Sequence, residues 1–538
     1  NVFADRYYIY SNFSYWLLNK DNKTTSFTIN DRAEHLTLDT QLILLPNLAS
    51  EGKLWFDRWY TDDSFMDLLT DFVVTSDKPL YGKWEDNSNK YYTITFDTNK
   101  RDHFEPITAQ YLSVVGLPEN VTGREHCEFK WWETDYGDQV PFNFTVPAHN
   151  ITLHAVWLCT RISFAGDLID LSKLVGLGAN YNGTTVFIDA DLDFSGSFPG
   201  RFEPIGKDSG NLFQGTFEGQ GYMINNLIMN SSSSQYVGLF GYTKGTLIRN
   251  VVLDSSCFVE SSYKGTSGYV YVGGITGYCY TSNRPCVIEN NVIMSSIEFT
   301  GSVSSSLYLG GIAGYLYCYD KEATVKNCAN YGSVMHSGVV GGSAHIGGIV
   351  GRTEGVYEKA KALNCLSYGT ITHNGTTTND LYIGGISGFL NSEKCRIENC
   401  VSGGKIVSNG TERSFIGSVI GKAEAYVYVS HCYWDINTGH DLSYQESTLV
   451  ISTNSSNFDS NTFTLTQGDT PENTLVSILN IFVDNNPQLD YSHWLLNKDN
   501  KITSFTINDR AEHLTLDTQL ILLPNLASEG KLWFNGWY

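Results

Sequence analysis

The sequence predicts a mostly β chain, a right-handed parallel β-helix flanked by small β-grasp-like modules. Two observations carry the solenoid. Six stretches say nearly the same thing: YVGLFG (236–241), YVGGITG (271–277), YLGGIAG (308–314), HIGGIVG (345–351), YIGGISG (382–388) and FIGSVIG (415–421). Their first glycines are 35, 37, 37, 37 and 33 residues apart, and a fixed period in this range marks stacked units. Each unit also holds short alternating apolar runs with no 3.6-residue stripe, so the repeating object is strands. A third observation predicts the flanks: two aromatic-rich β units, each roughly 65 residues long, precede the solenoid.

The totals narrow the partners. The chain has 538 residues, 57 acidic and 35 basic, for a formal charge of −22. That argues against nucleic acid or an anionic membrane surface as a partner. No apolar run reaches the roughly 18–20 residues of a membrane span. The sequence begins at Asn1, so a leader peptide removed by processing would leave no trace.

In chain order, residues 1–25 read as an approach segment. Residues 26–85 form a first module, through SFTI, LILLPNL, KLWFDRWYTDDSF and DKPLYGKW. Residues 90–158 form a second, through YTITFDTN, EFKWWETD and HNITLHAVW. Trp59 and Trp132 fill one slot of the shared pattern, Trp84 and Trp157 another. Such small units need buried aromatic anchors.

Residues 160–440 hold the solenoid, opened by a short helix in ISFAGDLIDLSKL. In each repeat an Asn follows the glycine pair: Asn250, Asn290, Asn327, Asn364 and Asn399, with His431 last. Equal positions of adjacent coils lie about 4.8 Å apart, so these side chains can bond one another and the turn backbone. Thr300-Gly301, Ser337-Gly338, Asn374-Gly375 and Asn409-Gly410 mark a second corner, where glycine is expected to supply positive φ. Residues 441–494 read as an irregular cap and linker.

The two ends are copies. Residues 16–60 recur as 494–538 with three differences in 45 positions, Thr24/Ile502, Asp57/Asn535 and Arg58/Gly536. Residues 495–538 thus read as an incomplete module, a copy of 17–60. A half module leaves strand edges unpaired. The expectation is that a tandem array continues, or that a second subunit completes the module and builds a head-to-tail homopolymer.

Two resemblances follow from quoted motifs. RWYTD (58–62) with LYGKW (80–84), and KWWETD (130–135) with LHAVW (153–157), resemble the internalin-type B repeat, the Listeria–Bacteroides-type repeat of bacterial surface proteins. DADLDFSG (189–196), PIG (204–206) and FQGTFEGQGYMINNL (213–227), with the six glycine stretches, resemble GLUG-motif β-helix proteins over about 162–440. The first resemblance implies a β-grasp-like stalk module with no active site. The second implies a β-helix scaffold.

Chemistry is sparse. Asp189, Asp191 and Asp193 alternate with apolar residues, so on one strand their carboxylates would share a face. That face reads as a Ca²⁺ site, as the acidic cluster of a polysaccharide lyase, or as a solvated outer surface. Cys328, Cys365, Cys400 and Cys432 each follow the Asn/His ladder. They read as buried small side chains or as metal and redox chemistry, with vertical bridges sterically possible. Cys127 with Cys159, Cys279 with Cys286 and Cys395 with Cys400 are candidate disulfides, and with eleven cysteines at least one stays unpaired within the chain.

Ten sequons mark N-glycan candidates: Asn12, Asn22, Asn120, Asn143, Asn150, Asn182, Asn230, Asn374, Asn409 and Asn454. No HExxH, GxSxG, P-loop or dinucleotide motif is present, and no catalytic residue is assigned. The sequence therefore predicts a non-enzymatic extracellular or cell-surface structural protein, self-associating and glycosylated. An adhesin that binds glycan or a host surface is the alternative, then a polysaccharide lyase or hydrolase on the same fold.

Overall fold

The computed structural model describes residues 89–436, with gaps at 99–102, 120, 123–124, 136, 197–201, 266–267, 411–412 and 425. Outside that range it describes separate segments between 15 and 86 and between 450 and 522. The chain divides into two compact units, 1–125 with 129–156, and 126–128 with 157–538.

In the first unit, strand Tyr15–Leu18 pairs antiparallel with Leu42–Leu45, so the expected approach segment already contributes a strand. Leu54–Tyr60 and His35–Leu38 flank Lys78–Asp86. A five-stranded sheet follows, ordered Gln139–Val140, Cys127–Glu133, Ile151–Cys159, Tyr91–Asp97, Ile107–Gln110. Its central pair is parallel, with Ile151 opposite Ile94. Trp132 anchors the core. It is fully buried, its indole N–H donates to the Pro118 carbonyl at 2.8 Å, and Phe96 and Phe129 lie at ring-centroid distances of 4.9 and 5.4 Å.

The second unit is a parallel β-solenoid. Helix Ala165–Gly176 stands at its N-terminal end, where the Asp167 carboxylate accepts from the backbone N–H groups of Ser163 and Phe164 at 3.0 and 3.3 Å. Leu168, Leu171 and Val175 bury its apolar face in the coil interior. Among the described residues, six ladders then run along the coil. The first wall has ten strands, Arg161–Ile162 to Val450–Thr453, and the second ten, Leu192–Asp193 to Thr464–Leu465. The third has six, Ile228–Ser231 to Ile406–Ser408, and the short fourth has four, Lys264–Gly265 to Thr376–Thr377. The fifth has six, Tyr236–Val237 to Ser414–Gly417, and the sixth six, Phe240–Lys244 to Ile420–Ala423. Strands Val450–Thr453 and Ser456–Asp459, in the stretch read from the sequence as irregular cap, extend the first two walls by a strand each.

The corner between the first and second walls is where positive φ is needed. Asn250, Asn290, Asn327, Asn364, Asn399 and His431 all have φ between 51 and 57°. Asn tolerates this left-handed region better than most residues. The stacked amides also bond: Asn399 Nδ2 donates to Asn364 Oδ1 at 2.7 Å, and Asn364 Nδ2 to Asn327 Oδ1 at 2.8 Å. Gly301, Gly338 and Gly375, by contrast, are not among the glycines with positive φ. There the expectation of a left-handed corner fails. These glycines are required by close approach, since a Cβ on Gly338 would strike the Gly301 carbonyl oxygen below it.

Helix Leu475–Asn485 returns along the outside of the second wall. Leu479, Val483 and Tyr491 cover Ala329, Leu366, Val401 and Tyr433 there. Beyond it, Trp494 pairs with Leu522 as Trp16 pairs with Leu44, so the two copied segments form the same strand pairing.

Candidate functional site

The most distinctive side-chain arrangement lies outside the coil, where the fifth and sixth walls meet. In YLGGIAGYL (308–316) the inward residues Leu309, Ile312 and Leu316 are fully buried in the core. A Cβ on Gly314 would run into backbone atoms of Gly277, Val272 and Tyr308. Glycine there lets the outer faces of two walls fold onto each other, so the corner is concave. The outward residues of both walls then face across it.

On the fifth wall these residues form one column in strict register: Tyr236, Tyr271, Tyr308, His345, Tyr382 and Phe415. Successive ring centroids are 5.0, 5.1, 5.0, 4.8 and 5.2 Å apart and near-parallel, which is one inter-coil step. On the sixth wall the column is Tyr242, Tyr278, Tyr315, Arg352, Phe389 and Lys422. The columns touch, with Tyr271 and Tyr278 at 5.0 Å and Tyr308 and Tyr315 at 4.9 Å. The Arg352 guanidinium lies over Tyr308, Tyr315 and Phe389 at 5.7, 5.4 and 5.3 Å. It also bonds Glu354 at 2.8 Å, which accepts the Tyr315 hydroxyl. Lys422 sits 4.3 Å from the Phe415 centroid.

The rings bury one another. Tyr308 is 5% exposed, Tyr315 8%, His345 4% and Phe415 0%. Burial raises the phenol pKa of Tyr271, Tyr278 and Tyr315 far above its usual value. Burial, with the Arg352 charge nearby, holds His345 well below 6.5, so the imidazole is neutral at pH 7. Neutral buried phenols and a sandwiched neutral imidazole offer no accessible nucleophile or base. What the arrangement supplies is cohesion: stacked and edge-on rings contribute about 0.5–1.5 kcal/mol per pair beyond area burial.

The residues singled out from sequence are placed as follows. Asp189, Asp191 and Asp193 do not share a face, because 189–191 turns the corner between the first two walls. Asp189 takes both bonds from Arg161 at 2.8 and 3.0 Å. Asp191 accepts from the Met223 N–H at 2.8 Å, and Asp193 from Ser195 and Asn226. Each carboxylate thus serves its own protein donors, and among the described residues no group of three or more His, Cys, Asp or Glu is placed to hold a metal.

Cys127 and Cys159 are bridged, as are Cys279 and Cys286. Cys395 and Cys400 are separate buried thiols. Cys395 lies in the strand Cys395–Glu398 and its thiol meets the Thr353 carbonyl. Cys400 lies beyond the Asn399 corner and meets the Ala362 carbonyl. Burial pushes the Cys395 thiol up to about 12 and raises those of Cys328 and Cys400.

Of the sequon residues, Asn143 is exposed and Asn150 accepts from the Thr93 N–H. Asn182 accepts from Arg284, and Asn230 donates to Glu260. Asn409 donates to Asn374 at 2.7 Å on the outside of consecutive coils. Asn12, Asn22, Asn120 and Asn454 lie outside the described residues.

The double aromatic column was not anticipated. The signal was available: an aromatic or His two residues before the first glycine, paired with an aromatic, Arg or Lys five residues after it, or four in the first coil.

The family model described as the Listeria-Bacteroides repeat domain matches residues 92–156. A protein named "Putative membrane protein" from Evansella cellulosilytica is 32% identical over 109 residues. That match covers 19% of this chain, and the chain spans 15% of the relative's length. A crystal structure titled as a "putative immunoglobulin A1 protease" from Bacteroides ovatus is similar at a TM-score of 0.40 and 21% identity, over 61% of this chain and 87% of that one. Residues 92–156 are thus similar to that repeat domain. Among the described residues, no helix is long and apolar enough to cross a membrane.

Proposed function

We propose that this chain is a structural protein of the extracellular or cell-surface space, a stiff β-solenoid spacer joined to small repeat modules, of the kind the GLUG and B-repeat motifs suggest. One observation carries the reading. The outward aromatic face, which a ligand-binding coil would leave open, is closed on itself along five successive coils of the fifth wall, with side chains 0–9% exposed from Tyr271 through Tyr308, His345 and Tyr382 to Phe415, and Tyr236 half-buried at the start. The side chains available for recognition there are used for rigidity. The nearly identical segments 16–60 and 494–538 place the same module sequence on both sides of the solenoid. That supports joining of like units, as a tandem array or as a heterologous fibre. The −22 charge keeps such rods apart laterally.

The test is electron microscopy with light scattering across a concentration series. Rods of uniform width that lengthen with concentration are expected of a fibre former. Monomers at every concentration would refute self-association.

A second reading, surface adhesion, is favoured by Tyr269, Tyr319 and Tyr357, which stand 48, 39 and 66% exposed. Adhesion through them requires glycan or cell binding that disappears when all three are replaced by Ser.

A further inference from the structure

The seam between the first and second walls carries chemistry that the aromatic corner does not use. Cys328, Cys365, Cys400 and Cys432 each follow a corner residue of positive φ, namely Asn327, Asn364, Asn399 and His431. Each also directly precedes a second-wall residue held in register, Ala329 with Leu366, Leu366 with Val401 and Val401 with Tyr433. The four thiols therefore stand one above another on four successive coils, about 4.8 Å apart at Cα. All are fully buried. Along the column they meet one another. The Cys328 thiol bonds that of Cys365, and the Cys400 thiol those of Cys365 and Cys432. The Cys400 sulfur also accepts the Cys365 backbone N–H at 3.4 Å. Other residues bound the column at both ends. Asn291 holds the same place one coil before Cys328, with its Nδ2 3.8 Å from that sulfur. Beyond Cys432, the Ser455 hydroxyl accepts its backbone N–H at 3.1 Å.

We infer that this column closes two axial disulfides, Cys328–Cys365 and Cys400–Cys432, when the chain folds in an oxidising space. The step between coils lies within the Cα range that a disulfide spans, about 4.4–6.8 Å. The same chain bridges Cys127 to Cys159 and Cys279 to Cys286, and disulfides form and persist in oxidising surroundings. Four thiols in a line make two neighbouring bridges in one way, because a central Cys365–Cys400 bond strands both ends. A line also offers each thiol its neighbours alone, which suits pairwise bonding. Among the described residues no group of three or more His, Cys, Asp or Glu is placed to hold a metal. In each bridge two thiols lose two protons and two electrons as one S–S bond forms. A low-molecular-weight disulfide such as oxidised glutathione takes them up by exchange and leaves as two thiols. Burial sets the moment: the bonds form while the coils assemble, before the seam seals. Each bridge ties one coil to the next, across 37 and 32 residues. That limits how far a stalk extends under load, so the inference deepens the structural reading and rests on it for its purpose.

The experiment takes the full chain, reduced and unfolded in urea, and refolds it across a series of reduced-to-oxidised glutathione ratios. It is read at a ratio that closes Cys127–Cys159 and Cys279–Cys286. The product is unfolded again, alkylated with iodoacetamide, and analysed by intact mass and peptide mapping. An open column leaves seven cysteines to alkylate. The closed column leaves three, Cys257, Cys318 and Cys395, and this is the expected result, with linked peptides joining Cys328 to Cys365 and Cys400 to Cys432. Cys365→Ser should release Cys328 alone and keep the second link; the natural chain decides the matter if that variant does not fold. The inference is overturned if either link is absent, if Cys365 is joined to Cys400, or if the links run between chains. The purified chain reports this wherever the protein resides, so failure here leaves the structural role standing. Electron microscopy on the same samples tests that role separately.

Discussion

Lowering the pH should selectively weaken the coils that hold a buried histidine pair. His336 and His373 are stacked neighbours on the inner side of the third wall, both fully buried, with Nδ1 atoms 2.8 Å apart. Phe299 lies one coil below at the same position. Burial, then the proximity of His373, lowers the His336 pKa from 6.5 to about 3. A base whose folded pKa is depressed binds more protons when unfolded. Its stabilisation is complete above the unfolded value and is lost as pH falls from 6.5 toward 3. At pH 5 the unfolded histidine is mostly protonated and the folded one hardly at all, which amounts to about 2 kcal/mol. The assay is urea unfolding followed by circular dichroism at pH 7.5 and pH 5.0, on the natural chain and on His336→Phe. Phenylalanine is already accommodated at this position one coil below and cannot titrate. The variant should lose roughly 2 kcal/mol of the pH dependence, while His345 retains its own share. Equal pH dependence in the two proteins would falsify the assignment.

Other outcomes follow from the same geometry. Asn364→Ala forfeits two amide bonds and strains a residue at φ 51°. It should cost about 2–4 kcal/mol in chemical unfolding, and Asn364→Gly should recover about 1 kcal/mol of that by relieving φ. Gly347→Ala would place a Cβ against the Val350 carbonyl oxygen inside the concave corner. A loss of at least ~2 kcal/mol is expected, read as a lower melting temperature. Arg352→Met keeps the volume but removes three ring contacts and leaves Glu354 and Tyr315 without their cation. It should cost ~2 kcal/mol and raise hydrogen exchange in strands Leu307–Gly310 and Ala313–Cys318.

How much of this was legible depends on sequence separation. The period, the strands and the helix at Ala165–Gly176 were legible, because alternation and a helical apolar face are local patterns that burial enforces residue by residue. The Asn ladder was legible too, since equal positions in a parallel solenoid must stack. The role of Gly338 was not. Whether a glycine supplies positive φ or only room depends on what lies 37 residues away, here the Gly301 carbonyl. The alternation of Asp189, Asp191 and Asp193 misled because a corner interrupts what reads as one strand.

The candidate sites divide the same way. The sequence by itself determined that the chain coils, with what step, and that its two ends share one module. Those properties are written in recurring local strings. Only the tertiary structure decided which way each corner bends. A convex corner at YLGGIAGY would have left Tyr308 and Tyr315 in water as a binding face. The concave corner stacks them 4.9 Å apart, because glycine at 314 lets two sheets meet backbone to backbone.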